Sequence, residues 1–214
     1  MRVKICGVRD LGHLDKCLHL MVDMIGLNLV PGANRAVAPD MARTITARLK
    51  GRSTVPVGVF LDQPMGEVVG LAQTIGLRWL QLHGGESAAY CRELAKDFML
   101  VKAVGLERLR DQAGVAAYVP HVQAFLVDGR RPGSGESWDW VALRRPPYDH
   151  IWSLGPAIWL AGGLRPENVA AAIEAVRPAV VDSASGVEVA GELDPLRLGA
   201  FCRAARGPGW SRSS

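Results

Sequence analysis

The sequence places its polar side chains at the ends of short apolar runs, where they could meet at one site. The first run ends Lys4-Ile5-Cys6-Gly7. In an extended strand side chains alternate, so Lys4 and Cys6 share one face and Val3 and Ile5 the other. A thiol there can act as base or nucleophile if a cation lowers its pKa from about 8.5; otherwise it is a small buried hydrophobe. Cys17, Cys91 and Cys202 fall in helical patterns and read as packing. Gln81 and His83 alternate with Leu80 and Leu82 before Gly84. They read either as ligand contacts or as a hydrogen-bonded structural pair. Asp128 closes Leu126-Val127-Asp128-Gly129. Partial burial favours the protonated form of a carboxyl, which suits a general acid; the other reading is a turn cap before glycine. Arg35, in the Gly-containing stretch 31–35, can hold a carboxylate by a two-pronged hydrogen bond or remain a solvated loop residue.

Two small-residue loops suit an anion. They are Ala161-Gly162-Gly163-Leu164 and Asp182-Ser183-Ala184-Ser185-Gly186. Free backbone N–H groups in such loops can wrap a phosphate, or the loops are simply tight turns. The stretch from Arg130 to Gly135 reads as a lid-like loop. No cysteine pair has a CxxC spacing, and no carboxylate–His spacing supports a metal site. We expect no metal and no cofactor.

These residues need elements to hold them. Strand-like runs are Val3–Cys6, Met24–Val30, Val55–Leu61, Arg78–Leu82, Met99–Ala103, Ala124–Asp128, Ala157–Ala161 and Ala179–Asp182. Between most of them, apolar residues recur three and four apart, over Leu11–Met21, Pro39–Leu49, Met65–Ile75, Ala88–Lys96, Leu106–Tyr118 and Pro166–Val176. The segment Pro146–Pro156 is poorly patterned, so its unit is degenerate. Eight strands in 214 residues leave about 27 residues per unit. Strand–helix alternation implies parallel pairing through right-handed crossovers. Eight such units close into an α/β single-domain (β/α)8 barrel, the TIM barrel, whose chemistry sits at the C-terminal strand ends. An open doubly wound sheet would carry GxGxxG after its first strand, where this chain has CGVRDLG. The barrel is expected over 1–207, with a frayed tail over 208–214.

Composition narrows the partners. The net charge is +4, but the basic residues are scattered and aromatics are only 6%, so a nucleic-acid surface is not indicated. A small anionic substrate fits that balance. The apolar stretch from Leu18 to Val30 is broken by Asp23 and Asn28, so no membrane span is expected. The N-terminus carries no signal-like pattern and the cysteines read as reduced, which indicates a cytoplasmic protein.

Taken together, the motifs resemble those of the phosphoribosylanthranilate isomerase family. They are Lys4-Ile5-Cys6-Gly7, Asp23 to Gly26, Arg35, 57–60, 80–84, Asp128, 133–135, Trp138-Asp139-Trp140, the run from Leu160 to Val169, and Asp182 with Ser185-Gly186-Val187-Glu188. The resemblance covers about Val3 to Gly207. It implies an Amadori rearrangement of N-(5-phosphoribosyl)anthranilate to 1-(2-carboxyphenylamino)-1-deoxyribulose 5-phosphate. It implies Cys6 as base and Asp128 as acid, with Arg35 on the anthranilate carboxylate. It implies a phosphate cradle from Gly162, Gly163, Ser185 and Gly186, with Gln81, His83 and Asp182 at the substrate. The sequence departs from the family pattern at Gly32-Ala33-Asn34, Pro132-Gly133-Ser134-Gly135, Ala184-Ser185 and Gly191-Glu192-Leu193-Asp194. Two other readings stand beside it: a recruited relative acting on another phosphosugar, and a non-catalytic phospholigand-binding barrel. A histidine-pathway aldose–ketose isomerase would be expected to end strand one in Asp, where this chain has Cys6. Oligomeric state is not legible.

Overall fold

Eight parallel strands close on themselves. They are β1 (Arg2–Cys6), β2 (Met24–Asn28), β3 (Val55–Phe60), β4 (Trp79–Leu82), β5 (Met99–Val104), β6 (Ala124–Asp128), β7 (Ala157–Ala161) and β8 (Val180–Ser183), with β8 pairing β1. The structure is a computed structural model that describes residues 1–129 and 138–207. The expected lid loop at 130–135 and the tail at 208–214 lie outside the described residues. All eight predicted strands form, with ends shifted by up to two residues. The largest shift is in β2, which stops at Asn28 because the Asn28 side chain accepts from the Val30 N–H at 3.1 Å and turns the chain.

The helices are α1 (Leu11–His19), α2 (Pro39–Arg48), α3 (Met65–Ile75), α4 (Ala88–Leu94), α5 (Leu106–Leu109), α6 (Gln112–Ala116), α7 (Val169–Val176) and α8 (Pro195–Arg206). The single helix expected over Leu106–Tyr118 is two short ones. Asp111 breaks it by accepting from the Gly114 N–H at 2.9 Å and capping a new start. The helix expected from Pro166 begins only at Val169. Asn168 holds the preceding turn, accepting from the Arg165 N–H at 2.8 Å and donating to the Gly163 carbonyl at 2.9 Å. Between β6 and β7 the described residues hold two short 3-10 turns, Trp140–Arg144 and Asp149–Ser153, and no α-helix. Pro146, Pro147 and Pro156 lack the N–H a longer helix would need.

Alternation along the strands sorts the side chains into two layers. Ile5, Leu27, Leu80, Leu82, Phe125 and Val181 point outward and pack under the helices. Met24, Val57, Trp79, Val101, Leu126, Trp159 and Val180 fill the barrel interior, with the Trp79 and Trp159 rings 5.9 Å apart. Above this apolar plug, at the C-terminal strand ends, the inward residues turn polar.

Candidate active site

The upper layer is set by strand register. In parallel strands paired residues face the same way. Lys4 lies opposite Asp182 across β1 and β8, and Cys6 lies opposite Gly26 across β1 and β2. Lys4 and Asp182 are both buried, and the Lys4 ammonium donates to Asp182 Oδ2 at 2.8 Å. Gly26 is needed where it is. A Cβ there would sit 2.7 Å from Cys6 Sγ and 3.1 Å from Lys4 Nζ. The missing side chain leaves the space in which thiol and ammonium meet.

Above this layer the strand ends and their loops surround a cavity of about 420 Å3, a size suited to a small ligand. Of the residues singled out from sequence, Cys6, Asp128, Arg35, Gln81, His83, Gly162, Gly163, Asp182 and Ser185 line it. Gly186 is not among the lining residues. A Cβ on it would lie 1.9 Å from the Leu164 carbonyl oxygen, so its role is to let the two small-residue loops close on each other. Gly162 has φ +87°, and a side chain there would strike Trp138 Nε1 at 2.6 Å and Asp128 Oδ1 at 2.8 Å. Trp138 in turn donates to the Ala161 carbonyl at 3.3 Å, so an indole braces the loop beside Asp128.

Gln81 and His83 prove to be both hydrogen-bonded to each other and exposed to the cavity. Gln81 Nε2 lies 2.9 Å from His83 Nδ1, and His83 Nε2 lies 3.9 Å from Asp128 Oδ2. With the amide donating, the imidazole proton sits on Nε2, on the side of Asp128. Burial lowers the His83 pKa below its usual value against the pull of Asp128, so the ring is neutral at pH 7.

The condition set for an activated thiol is met only in part. The cation that should lower its pKa is present in Lys4, yet burial outweighs it and the Cys6 pKa is raised. Lys4 reduces the rise without reversing it. At neutral pH Cys6 is therefore a thiol beside an ammonium. Burial also lifts the Asp182 carboxyl above its usual range, with Lys4 pulling the other way. Cys17, Cys91 and Cys202 are fully buried, with pKa values pushed up to about 12, about 11 and about 11. Native-state alkylation by iodoacetamide should thus report Cys6. Its rate is expected to climb with pH toward a midpoint above the ordinary thiol value of about 8.5. A midpoint below that value, measured by mass spectrometry of the Cys6 peptide, would contradict this account.

Sequence reasoning missed several groups. Alternation puts Lys4 on the face of Cys6 but does not show that Asp182 holds it. Glu188 stood within a quoted motif with no role, and it accepts from Arg35 Nε at 2.7 Å and from Nη2 at 2.6 Å. Asn168 and Trp138 gave no polar-at-strand-end signal because both act from loops. Among the described residues, no group of three or more His, Cys, Asp or Glu side chains is arranged to hold a metal ion.

Comparison with known proteins gives the geometry a context. Residues 3–204 match the family model described as N-(5'-phosphoribosyl)anthranilate (PRA) isomerase. The chain is 39% identical to the N-(5'-phosphoribosyl)anthranilate isomerase of Moorella thermoacetica over 212 residues, covering 96% of this chain and 90% of that one. It superposes on phosphoribosyl anthranilate isomerase from Thermotoga maritima with a TM-score of 0.86 at 33% identity, covering 96% and 98% of the two chains. It also superposes on a phosphoribosyl anthranilate isomerase in complex with reduced 1-(o-carboxyphenylamino)-1-deoxyribulose 5-phosphate, with a TM-score of 0.83, 32% identity and 96% and 98% coverage. No described helix is long and apolar enough to cross a membrane.

Proposed function

The chain belongs to the N-(5'-phosphoribosyl)anthranilate isomerase family and catalyses that isomerisation in tryptophan biosynthesis, and from this premise we propose how its residues divide the work. Asp128 is the general acid. It protonates the ribose ring oxygen of the phosphorylated substrate, and the ring opens to an iminium at C1. The iminium acidifies the C2–H, and Cys6 removes that proton as general base. The resulting enolamine tautomerises to the ketone, 1-(2-carboxyphenylamino)-1-deoxyribulose 5-phosphate. One proton enters and one leaves, so no co-reactant is consumed. The observation that carries this reading is that Cys6 on β1 and Asp128 on β6 face one cavity from strand ends three strands apart around the barrel.

The remaining residues bind. Arg35 takes the anthranilate carboxylate. The loops at Gly162-Gly163 and Ser185 take the phosphate, with Asn168 fixing the first loop through the Gly163 carbonyl. Gln81 and His83 contact the reacting sugar beside Asp128. Asp182 acts from below, holding Lys4 next to the thiol, since burial leaves little of it for ligand contact. Because the Cys6 pKa is raised, the thiolate is scarce before the reaction, and the Lys4 ammonium favours it once the proton moves. The reduced cysteines and the biosynthetic role fit a cytoplasmic enzyme.

The direct test is turnover of freshly made N-(5'-phosphoribosyl)anthranilate. Anthranilate-type fluorescence is expected to fall as the amine enters the product. An unchanged signal at micromolar enzyme would overturn the assignment.

A further inference from the structure

The cavity holds one ion pair that the reaction scheme does not use. The Arg35 guanidinium meets Glu188 edge-on, through Nε to Oε1 at 2.7 Å and Nη2 to Oε2 at 2.6 Å. Glu188 is nearly buried, at 10% exposure, whereas Arg35 keeps 34% and lines the cavity. The aliphatic stem of the arginine is closely packed as well. Gly7 has φ +90°, and a Cβ on it would lie 2.5 Å from Arg35 Cδ. Gly7 thus bounds the stem of the arginine, and Glu188 holds its guanidinium.

The arrangement leaves a defined set of donors. A guanidinium carries five N–H groups. Glu188 takes the one on Nε and one on Nη2. Both N–H groups of Nη1 and one of Nη2 remain, and together they form the end-on edge that matches a second planar carboxylate. Glu188 also neutralises Arg35 before any ligand arrives, which limits the cost of burying the cation.

Glu188 does not stand alone. It opens a small antiparallel hairpin, Glu188–Val189 with Glu192–Leu193. That hairpin is tied to the start of the barrel. Arg9 donates to Glu192 Oε1 at 2.7 Å and to the Gly191 carbonyl at 2.9 Å, and Lys16 donates to the Leu193 carbonyl at 2.8 Å. Ser185, on the loop proposed for phosphate, lies three residues before Glu188. One short stretch of chain thus spans both ends of the site.

We infer that Glu188 is a positioning residue that aims the end-on edge of Arg35 at the carboxylate of the aromatic amine, so that discrimination for an ortho-carboxylated substrate depends on Glu188 although Glu188 itself does not touch the ligand. This rests on the assignment of Arg35 to that carboxylate. The experiment compares two ligands by calorimetry: reduced 1-(o-carboxyphenylamino)-1-deoxyribulose 5-phosphate and the same compound without the ring carboxylate. The ratio of their Kd values isolates the carboxylate, because a general structural defect moves both alike. Wild type is expected to favour the carboxylated ligand, and Arg35→Ala to lose the preference. Glu188→Gln is expected to cut the ratio by about tenfold, the equivalent of 1.4 kcal/mol, and to add nothing in the Arg35→Ala background. If Glu188→Gln does not fold, Glu188→Asp, whose carboxylate is withdrawn by one carbon, should give the same result with a smaller loss. A wild-type ratio in the Glu188 variant, or equal weakening of both ligands, overturns the inference while leaving Arg35 in its role. A preference that survives Arg35→Ala overturns the Arg35 assignment and the inference together. Failure of wild type to bind either ligand would count against the functional reading itself.

Discussion

Cys6→Ala and Asp128→Asn are each expected to lower kcat by about 100- to 10,000-fold, the usual contribution of a positioned proton donor or acceptor, while leaving the barrel folded. Neither side chain holds the core. Cys6 is only partly buried, and its alanine variant removes one sulfur from a cavity wall. Asp128 keeps 28% side-chain exposure, and Asn has the same shape. The losses should appear in kcat and not in affinity, because each group acts on a proton that moves only in the transition state. The check is to measure kcat beside the Kd of the reduced product analogue and the urea midpoint. Variants within tenfold of wild-type kcat would remove these residues from the chemistry. The two substitutions together should cost less than the product of the single losses, since proton donation and removal serve one reaction path.

The barrel was legible because its signals are local. Strands of alternating period and helices of period 3.6 follow each other along the chain, and each can be read within a dozen residues. The places where the reading slipped are also local but subtler. Asp111 caps a new helix where apolar spacing runs on unbroken, and Asn168 spends its side chain on the Gly163 loop instead of on a longer helix. In both cases a short polar side chain competes with the helical hydrogen bonds.

The site divides along a different line. Which side chains face the cavity was legible from alternation at strand ends, and Cys6, Gln81, His83 and Asp128 all reach it. Which groups pair was not. Lys4 and its partner Asp182 are 178 residues apart, and Arg35 and Glu188 are 153 apart. Closing the barrel joins its first strand to its last, and no local pattern encodes that. The thiol shows the limit of residue chemistry alone. A neighbouring cation was the right feature to look for, but the sign of the pKa change depends on how much water the fold removes. Here burial exceeds the pull of Lys4.

Breaking the Lys4–Asp182 pair is expected to have a large effect on stability. Lys4→Met is expected to destabilise the fold by about 3–5 kcal/mol, the typical cost of removing one partner from a buried pair. The ammonium is fully buried and Asp182 is 6% exposed. Among the described residues Asp182 Oδ1 already lacks a hydrogen-bond partner, so losing Lys4 strips Oδ2 as well. At this chain length each kcal/mol moves Tm by about 2–4 °C, so the change is visible by calorimetry as well as by urea. The pH dependence has a fixed sign. Burial opposes the Lys4 charge, but Asp182 and Cys6 outweigh it and raise the pKa. A group raised in the fold contributes fully below its unfolded pKa of about 10.4 and loses that contribution as pH rises through the folded value. The gap between wild type and Lys4→Met should therefore be complete at pH 7, narrow in alkali as pH rises through the folded Lys4 value, and narrow in acid as Asp182, itself raised by burial, takes up a proton. Replacing both partners, as Lys4→Met with Asp182→Leu, removes the unpaired charge and should restore most of the stability. It should not restore turnover, because the Cys6 thiolate would then form without the Lys4 ammonium, the cation that favours it most. A double variant that regains both would make the pair purely structural. One that regains stability alone would show that this buried pair is there for the thiol and that the fold can do without it.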